Sequence, residues 1–156
     1  MKERILIVDD REENRYLLLA LLQGDGYEII TAIHGADALE KAQQNPPDLI
    51  IADILMPVMD GFTLCREWMR DERLKPIPFI FYTATYTDER DRVFALGLGA
   101  QQFIVKPVEP DVFLKLPGIA RLAKAHQHGL GRQARVLHPA GRGLPYALAQ
   151  VTGAIQ

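Results

Sequence analysis

Three carboxylates follow short apolar runs in this sequence. Asp9 and Asp10 come directly after RILIV, and Asp53 comes after LIIA. Because an acid makes a poor core residue, each carboxylate is expected where a buried strand ends. If the three meet, they repel one another unless a cation holds them. The donors are all hard oxygens, with no thiolate or imidazole among them, so the pattern predicts Mg²⁺, or Mn²⁺, rather than zinc.

Asp53 is the candidate nucleophile of this set. Mg²⁺ commonly binds through one or two carboxylates together with water and phosphate oxygens, which leaves a carboxylate free to act on a phosphoryl group. An aspartate can accept that group as an acyl phosphate, and a carboxylate nucleophile needs no general base. Thr83 and Lys106 follow two later apolar runs. They would direct a hydroxyl donor and a positive charge at the phosphoryl oxygens.

Hydrophobic periodicity indicates the elements that must position these residues. Apolar runs rich in Ile, Val and Phe alternate with amphipathic segments of ten or more residues. Five βα units in succession predict an α/β fold, a doubly wound parallel sheet with helices on both faces. The strands are predicted at Arg4–Val8, Tyr27–Ala32, Asp48–Ala52, Ile77–Tyr82 and Gln102–Val105, and the helices at 11–24, 36–44, 61–72 and 87–97, with a fifth opening near Pro110.

The carboxyl ends of parallel strands share one edge of the sheet, because crossover connections are right-handed. The polar residues at those ends should therefore converge, and ligands of doubly wound sheets bind at that edge. Each residue alone has a simpler explanation. Asp10 could merely cap the first helix, Thr83 could be an ordinary strand residue, and Lys106 could be a solvated charge. Together, these explanations would rarely select the same edge of one sheet.

The sequence resembles the receiver domain of two-component response regulators over about residues 2–115. The resemblance rests on VDD at 8–10, Asp53 followed by MPVMDG at 56–61, Thr83-Ala84 and Lys106-Pro107. It implies the (βα)5 flavodoxin-like fold with strand order 2-1-3-4-5. Residues 76–115 resemble receivers at the N-terminus of multidomain sensor kinases.

The resemblance also implies a role for each matched residue. Asp53 would be the phosphoacceptor and a metal ligand, Asp9 and Asp10 the acidic Mg²⁺ pair, and the Leu55 backbone carbonyl a further ligand. Lys106 would bind the phosphate. The implied structural residues are Pro57, Gly61 and Pro107, the last after a cis peptide.

A switch is implied as well. Phosphorylation would draw Thr83 toward the acyl phosphate while Phe103 turns inward, although periodicity alone makes Phe103 a core residue. The face formed by the helix at 87–97, the strand at 102–105 and the following helix would then change. Ala84 leaves the site open, and Leu55 and Thr85 flank it. Because Leu55 has no group to position a water, we predict a fairly long-lived acyl phosphate.

The implied function is that of a phosphoacceptor switch that assists its own phosphorylation and dephosphorylation, rather than a metabolic enzyme. Its partner would be a histidine kinase or phosphotransfer protein, and a phosphorylation-dependent homodimer is compatible with the family. Two alternatives stay open. A receiver-like interaction module would dock without being phosphorylated. A haloacid dehalogenase-like phosphatase also uses an aspartyl nucleophile, but it has its second acid two residues after the first, where this chain has adjacent Asp9 and Asp10.

Charge divides the chain near residue 116. Residues 1–116 hold all 20 acids and 13 basic residues, whereas 117–156 hold five basic residues and no acid. Such a break predicts a receiver domain at 1–116 and a basic, disordered tail or linker at 117–156. Pro117-Gly118 is expected to cut the closing helix short. The abrupt change also fits a truncated or frame-shifted reading of a longer gene.

Composition excludes several classes of protein. No run approaches the roughly 20 apolar residues that cross a bilayer, and MKERILIV leads directly into a strand, so we expect a cytoplasmic protein without membrane contact. One cysteine, Cys65, excludes an intramolecular disulfide and is expected in the core. The basic tail lacks interleaved aromatic residues, so nucleic-acid binding is not indicated.

Overall fold

The computed structural model describes residues 3–24, 26–116, 118–120 and 122. Within these residues, five strands alternate with five helices. The strands are β1 (Arg4–Val8), β2 (Glu28–Ala32), β3 (Leu49–Ala52), β4 (Phe79–Thr83) and β5 (Gln102–Val105). The helices are α1 (Glu12–Gln23), α2 (Gly35–Gln44), α3 (Gly61–Arg70), α4 (Glu89–Gly97) and α5 (Pro110–Leu114).

The strands form one parallel sheet in the order β2-β1-β3-β4-β5. The predicted doubly wound α/β fold and its strand order are therefore confirmed. In the part of the chain described here, no helix is both long enough and apolar enough to cross a membrane.

The two faces of the sheet bury separate cores, since successive side chains of a strand point to opposite sides. One face packs under α2, α3 and α4; the other packs under α1 and α5. Cys65 is fully buried in the first core, as predicted. Because both faces are covered, the inner strands are nearly continuous apolar runs. The buried members of the first core on the sheet include Leu6, Val8, Ile50, Phe79, Phe81 and Phe103; those of the second include Ile5, Ile7, Leu49, Ile51 and Ile80.

The fourth strand lies two residues later than predicted at its start and one residue later at its end. Ile77 belongs to a turn, in which its N–H donates to the Leu74 carbonyl at 2.9 Å, and Pro78 has no N–H to donate. Thr83 belongs to β4, and its carbonyl accepts from the Lys106 N–H at 2.8 Å. The position of Thr83 is thus fixed by strand hydrogen bonding.

Two helix boundaries lie two residues from their predicted positions, and side-chain capping explains both, whereas α1 and the start of α2 are within one residue of theirs. Asp88 and Asp91 form a capping box, so α4 begins at Glu89 rather than 87. The Asp71 carboxylate accepts from the N–H of Arg73 at 2.9 Å. That bond stabilises a turn directly after Arg70 and ends α3 two residues early.

Helical residues continue beyond Leu116. Residues 118–120 and 122 are helical, and Ile119 and Leu122 are 0% and 2% exposed within the second core. Packed residues therefore extend past the predicted boundary at 116. Pro117, Arg121 and residues 123–156 lie outside the described residues, so the disordered tail and the truncated or frame-shifted reading stay predictions.

Candidate functional site

Four strand ends meet at the carboxyl edge of the sheet, as the sequence pattern predicts. Asp9 follows β1, Asp53 follows β3, Thr83 ends β4 and Lys106 follows β5. Strand hydrogen bonding continues into the site, since the Asp53 N–H donates to the Val8 carbonyl at 2.9 Å. The side chains of the site therefore stand on rigid backbone.

Lys106 joins the two buried acids of this edge. Its Nζ lies 3.1 Å from Asp9 Oδ2 and 3.6 Å from Asp53 Oδ2. The three side chains are only 17%, 3% and 11% exposed, in the order Lys106, Asp9, Asp53. Two carboxylates this close would repel each other, and the ammonium offsets that repulsion. The simpler explanation of Lys106, a solvated charge, is wrong.

Asp9 is held from several directions. Its Oδ1 accepts from the Arg11 N–H at 3.0 Å and from Asn14 Nδ2 at 3.3 Å. Its backbone carbonyl accepts from Arg15 at 2.8 Å. Asp10 is exposed and does not cap α1, since Arg11 occupies the N-cap position. The simpler explanation of Asp10 as a helix cap is therefore wrong, and its carboxylate faces solvent beside the site.

Asp53 is buried at the centre of the edge. Burial raises the pKa of Asp53 above the ordinary carboxyl value, and the Asp9 charge raises it further. Lys106, the Ile54 N–H and the Thr83 hydroxyl lower the same pKa. The Ile54 N–H donates to Asp53 Oδ1 at 2.7 Å. The nucleophilic, ionised form of Asp53 thus depends on its cationic and hydrogen-bonding partners.

The loop after Asp53 is fixed by close backbone contact with the start of α3. A Cβ on Gly61 would lie 2.2 Å from the Asp53 carbonyl oxygen, so only glycine fits. The Gly61 N–H donates to the Ile54 carbonyl at 2.8 Å, and Asp60 caps α3 by accepting from the Thr63 N–H at 2.8 Å. This contact explains the predicted structural role of Gly61.

Two further features shape the loops around the site. Val58 has a φ of 66°, in the left-handed region, and is 81% exposed; Pro57 beside it is exposed as well. The Lys106–Pro107 peptide is cis, as the resemblance implies.

Leu55, Ala84 and Thr85 are exposed at the rim, so the edge is open to a ligand.

The two residues of the implied switch are both buried. Thr83 is 0% exposed, and its Oγ1 accepts from the Thr85 N–H at 3.1 Å. Phe103 is 5% exposed, and its ring centroid lies 6.2 Å from that of Phe81 within the first core. The ring of Phe103 therefore lies inward.

The three carboxylates that were predicted to meet do not gather into one metal-binding cluster. Among the described residues, no three His, Cys, Asp or Glu side chains are gathered closely enough to hold a metal ion by themselves. Lys106 lies between Asp9 and Asp53, and Asp10 points to solvent. The donor chemistry still fits Mg²⁺, because two buried carboxylates and an exposed one offer only hard oxygens, and Mg²⁺ keeps several waters of its own.

Sequence reasoning missed Asn14, Arg15 and Tyr82. Asn14 and Arg15 support Asp9 from the first turns of α1. Their positions, five and six residues after Asp9 at the start of the predicted helix, were the feature of the sequence that could have identified them. Tyr82 lies beside Thr83 but points to the opposite face of the sheet, where its ring centroid lies 5.2 Å from Lys106 Nζ. Alternation along a strand does not reveal such a contact.

Fold and site together define a class of protein: a doubly wound α/β domain with acids, a threonine and a lysine at one sheet edge. The family model of the response regulator receiver domain matches residues 5–116. The chain belongs to this family of two-component signalling domains, which makes the haloacid dehalogenase alternative untenable.

Curated relatives agree with this assignment. The chain is 45% identical over 115 residues to the response regulator PleD of Caulobacter vibrioides, covering 73% of this chain and 25% of PleD. It is 40% identical over 110 residues to the regulatory protein PhoP of Bacillus subtilis, covering 70% of this chain and 45% of PhoP. For the protein PilH of Pseudomonas aeruginosa the values are 38% over 112 residues, 72% and 92%. The chain thus spans less than half of PleD and PhoP.

Solved structures share the fold. The chemotaxis response regulator CheY4 of Vibrio cholerae superposes with a TM-score of 0.69 at 35% identity, covering 74% of this chain and 95% of CheY4. CheY in the CheX–CheY–BeF3–Mg complex of Borrelia burgdorferi gives 0.67 at 33% identity, covering 72% and 84%. The receiver domain of a histidine kinase from Syntrophus aciditrophicus gives 0.68 at 36% identity, covering 83% and 93%.

Proposed function

We propose that the chain accepts a phosphoryl group on Asp53 and acts as a switch in a two-component phosphorelay. One observation carries the proposal: Lys106 Nζ lies 3.1 Å and 3.6 Å from two buried carboxylates at the carboxyl edge of the sheet. A buried cation between two acids is costly as a mere stabilising device. The same arrangement is well suited to receive a charged phosphoryl group.

The proposed reaction is an in-line displacement at phosphorus. A carboxylate oxygen of Asp53 forms the O–P bond while the P–N bond of a donor phosphohistidine breaks, and its electron pair returns to the imidazole. Lys106 and the Thr83 hydroxyl contact the phosphoryl oxygens as charge shifts onto them. Hydrolysis by water later breaks the P–O bond and restores the carboxylate.

Mg²⁺ would neutralise charge on the transferring group when bound, and Mn²⁺ could replace it. Asp9, Asp10, Asp53 and the Leu55 carbonyl would hold it. The CheX–CheY–BeF3–Mg complex of Borrelia burgdorferi, whose CheY shares this fold, supports the magnesium proposal. In this chain, Asp9 would contribute from a carboxylate already oriented by Arg11 and Asn14.

The proposed output is a change in the face formed by α4, β5 and α5. Thr83 would move toward the acyl phosphate, and the buried ring of Phe103 would be held in the space beneath it. Exposed Val93, Val105 and Val112 give this face an apolar character. The phosphoryl group shifts the population only through its different contacts in the two states. A downstream domain, a target protein or a homodimer would read the change.

The partners follow from the chemistry. A histidine kinase or phosphotransfer protein would supply the phosphoryl group, and the cytoplasm would be the compartment. Leu55 and Thr85 flank the open rim, where they would affect the lifetime of the acyl phosphate. We propose a long lifetime, since Leu55 has no group to position water. The alternative, a docking module that is never phosphorylated, would leave Asp53 unmodified.

Incubation with acetyl phosphate, with and without Mg²⁺, distinguishes these functions. When the incubation contains Mg²⁺, the wild type should form a base-labile phosphoprotein, which a phosphate-affinity gel separates from the unmodified protein. Without Mg²⁺ in the incubation it should form none. Asp53→Asn should form none. Asp60→Asn is the matched control, because asparagine also caps a helix and Asp60 lies in the same loop. If the wild type forms no adduct, the switch proposal fails and the docking module is favoured.

A further inference from the structure

Tyr82 presents its aromatic ring to the proposed phosphate-binding lysine. Lys106 Nζ lies over the Tyr82 ring, 5.2 Å from its centroid. A cation within about 6 Å of an aromatic face is attracted by the ring quadrupole. The carboxylates of Asp9 and Asp53 contact the same ammonium group. Lys106 is therefore held by two acids and by one aromatic face.

The Tyr82 ring is itself held by the segment that follows β5. Its centroid lies 5.2 Å from that of Phe113, a fully buried residue of α5. Burial raises the pKa of Tyr82, whereas Lys106 and a hydrogen bond from the Val108 backbone lower it. The ring thus connects β4, the loop after Lys106 and α5 through direct contacts.

We propose that Tyr82 is the positioning residue of Lys106, keeping its ammonium at the phosphoryl site. A lysine side chain has four flexible methylenes and no fixed direction, so carboxylates alone restrain only its end. The ring face restrains the ammonium without a directional bond. Lys106 can therefore turn from the acids to phosphoryl oxygens while it keeps the aromatic contact. This inference rests on the proposed function of Lys106.

Substitutions at Tyr82 separate the ring from the hydroxyl. With acetyl phosphate and Mg²⁺, Tyr82→Leu should be phosphorylated about three- to tenfold more slowly than the wild type, the loss expected from a cation–π contact. Tyr82→Phe keeps the ring and should stay within about twofold of the wild type. Wild-type rates in Tyr82→Leu would overturn the proposal.

A double-mutant cycle tests whether Tyr82 acts through Lys106. Tyr82→Leu should slow phosphorylation in the wild type but cause no further loss in Lys106→Met. Equal losses in both backgrounds would mean that the ring acts only through the fold, against the proposal. Tyr27→Leu is the matched control, since Tyr27 is a buried tyrosine of the same core just before β2, away from the strand ends that form the site. It should lower stability without changing the rate.

A measurement without phosphate keeps the two proposals separate. In the unphosphorylated protein, NMR signals of the Lys106 Cε protons should be shifted upfield by the ring in the wild type and in Tyr82→Phe, but not in Tyr82→Leu. An unchanged shift in Tyr82→Leu would contradict the contact. If the wild type shows the shift but never forms an acyl phosphate, the positioning contact stands and the phosphoacceptor function fails.

Discussion

Gly61→Ala should disturb the carboxylate of Asp53, the proposed phosphoacceptor, through the backbone, without touching any side chain of the site. The new Cβ would lie 2.2 Å from the Asp53 carbonyl oxygen and 2.8 Å from the Ile54 Cα. Ordinary carbon–oxygen and carbon–carbon contacts are about 3.3 Å or longer, so the Asp53–Ile54 backbone or the start of α3 must move by about 1 Å. Overpacking of this kind costs about 1–3 kcal/mol in the free energy of unfolding.

The same displacement should reduce phosphorylation, since a misplacement of about 1 Å at a reactive group can cost about 100-fold in rate. Urea unfolding measures the stability, and the initial rate with acetyl phosphate and Mg²⁺ measures the reactivity. Gly97→Ala is the matched control, because a Cβ at Gly97 meets nothing within 4 Å and should leave both quantities unchanged or slightly raise the stability. Wild-type stability and rate in Gly61→Ala would refute the role of this close contact.

Three other substitutions test separate features. In metal-free buffer, Asp53→Asn should be more stable than the wild type at neutral pH. Because the fold raises the pKa of Asp53 above its ordinary value of 3.8, ionisation of this carboxyl destabilises the folded wild type as the pH rises. The difference in unfolding free energy between the two proteins should therefore shrink on acidification. Equal stability curves from pH 4 to 7 would contradict this. Val58→Asn should stabilise by about 1 kcal/mol, since a β-branched residue at a φ of 66° is strained and asparagine tolerates that region; a loss of stability in thermal unfolding would exclude strain at Val58. Ile119→Ala should destabilise by about 2–5 kcal/mol because Ile119 is fully buried, and an unchanged melting temperature would show that the fold ends before it.

Much of the fold could be predicted because each strand is a short apolar run bounded by turn residues. Burial on both faces of the sheet requires that pattern, so element type and order follow from it. The boundaries of the helices and strands were harder to predict. The start of β4 depends on the turn hydrogen bond from the Ile77 N–H to the Leu74 carbonyl. The end of α3 and the start of α4 depend on hydrogen bonds from backbone N–H groups to the side chains of Asp71 and Asp88.

The site could be predicted to the level of strand ends, because parallel topology brings Asp9, Asp53, Thr83 and Lys106 to one edge. Which side chains touch was not predictable. Lys106 lies between two acids, 97 residues from Asp9 in sequence, and Asp10 stays in solvent. Tyr82 reaches Lys106 from the opposite face of the sheet, since a long lysine side chain spans positions that strand alternation separates.

Locating the phosphoryl group tests the central proposal most directly. Borohydride reduces an acyl phosphate to an alcohol, which converts a phosphorylated aspartate to homoserine. After incubation with acetyl phosphate and Mg²⁺, peptide sequencing by mass spectrometry should find homoserine at position 53 and at no other aspartate, and omission of Mg²⁺ should abolish it. Homoserine at another position, or none at all, would contradict the assignment of Asp53 as phosphoacceptor.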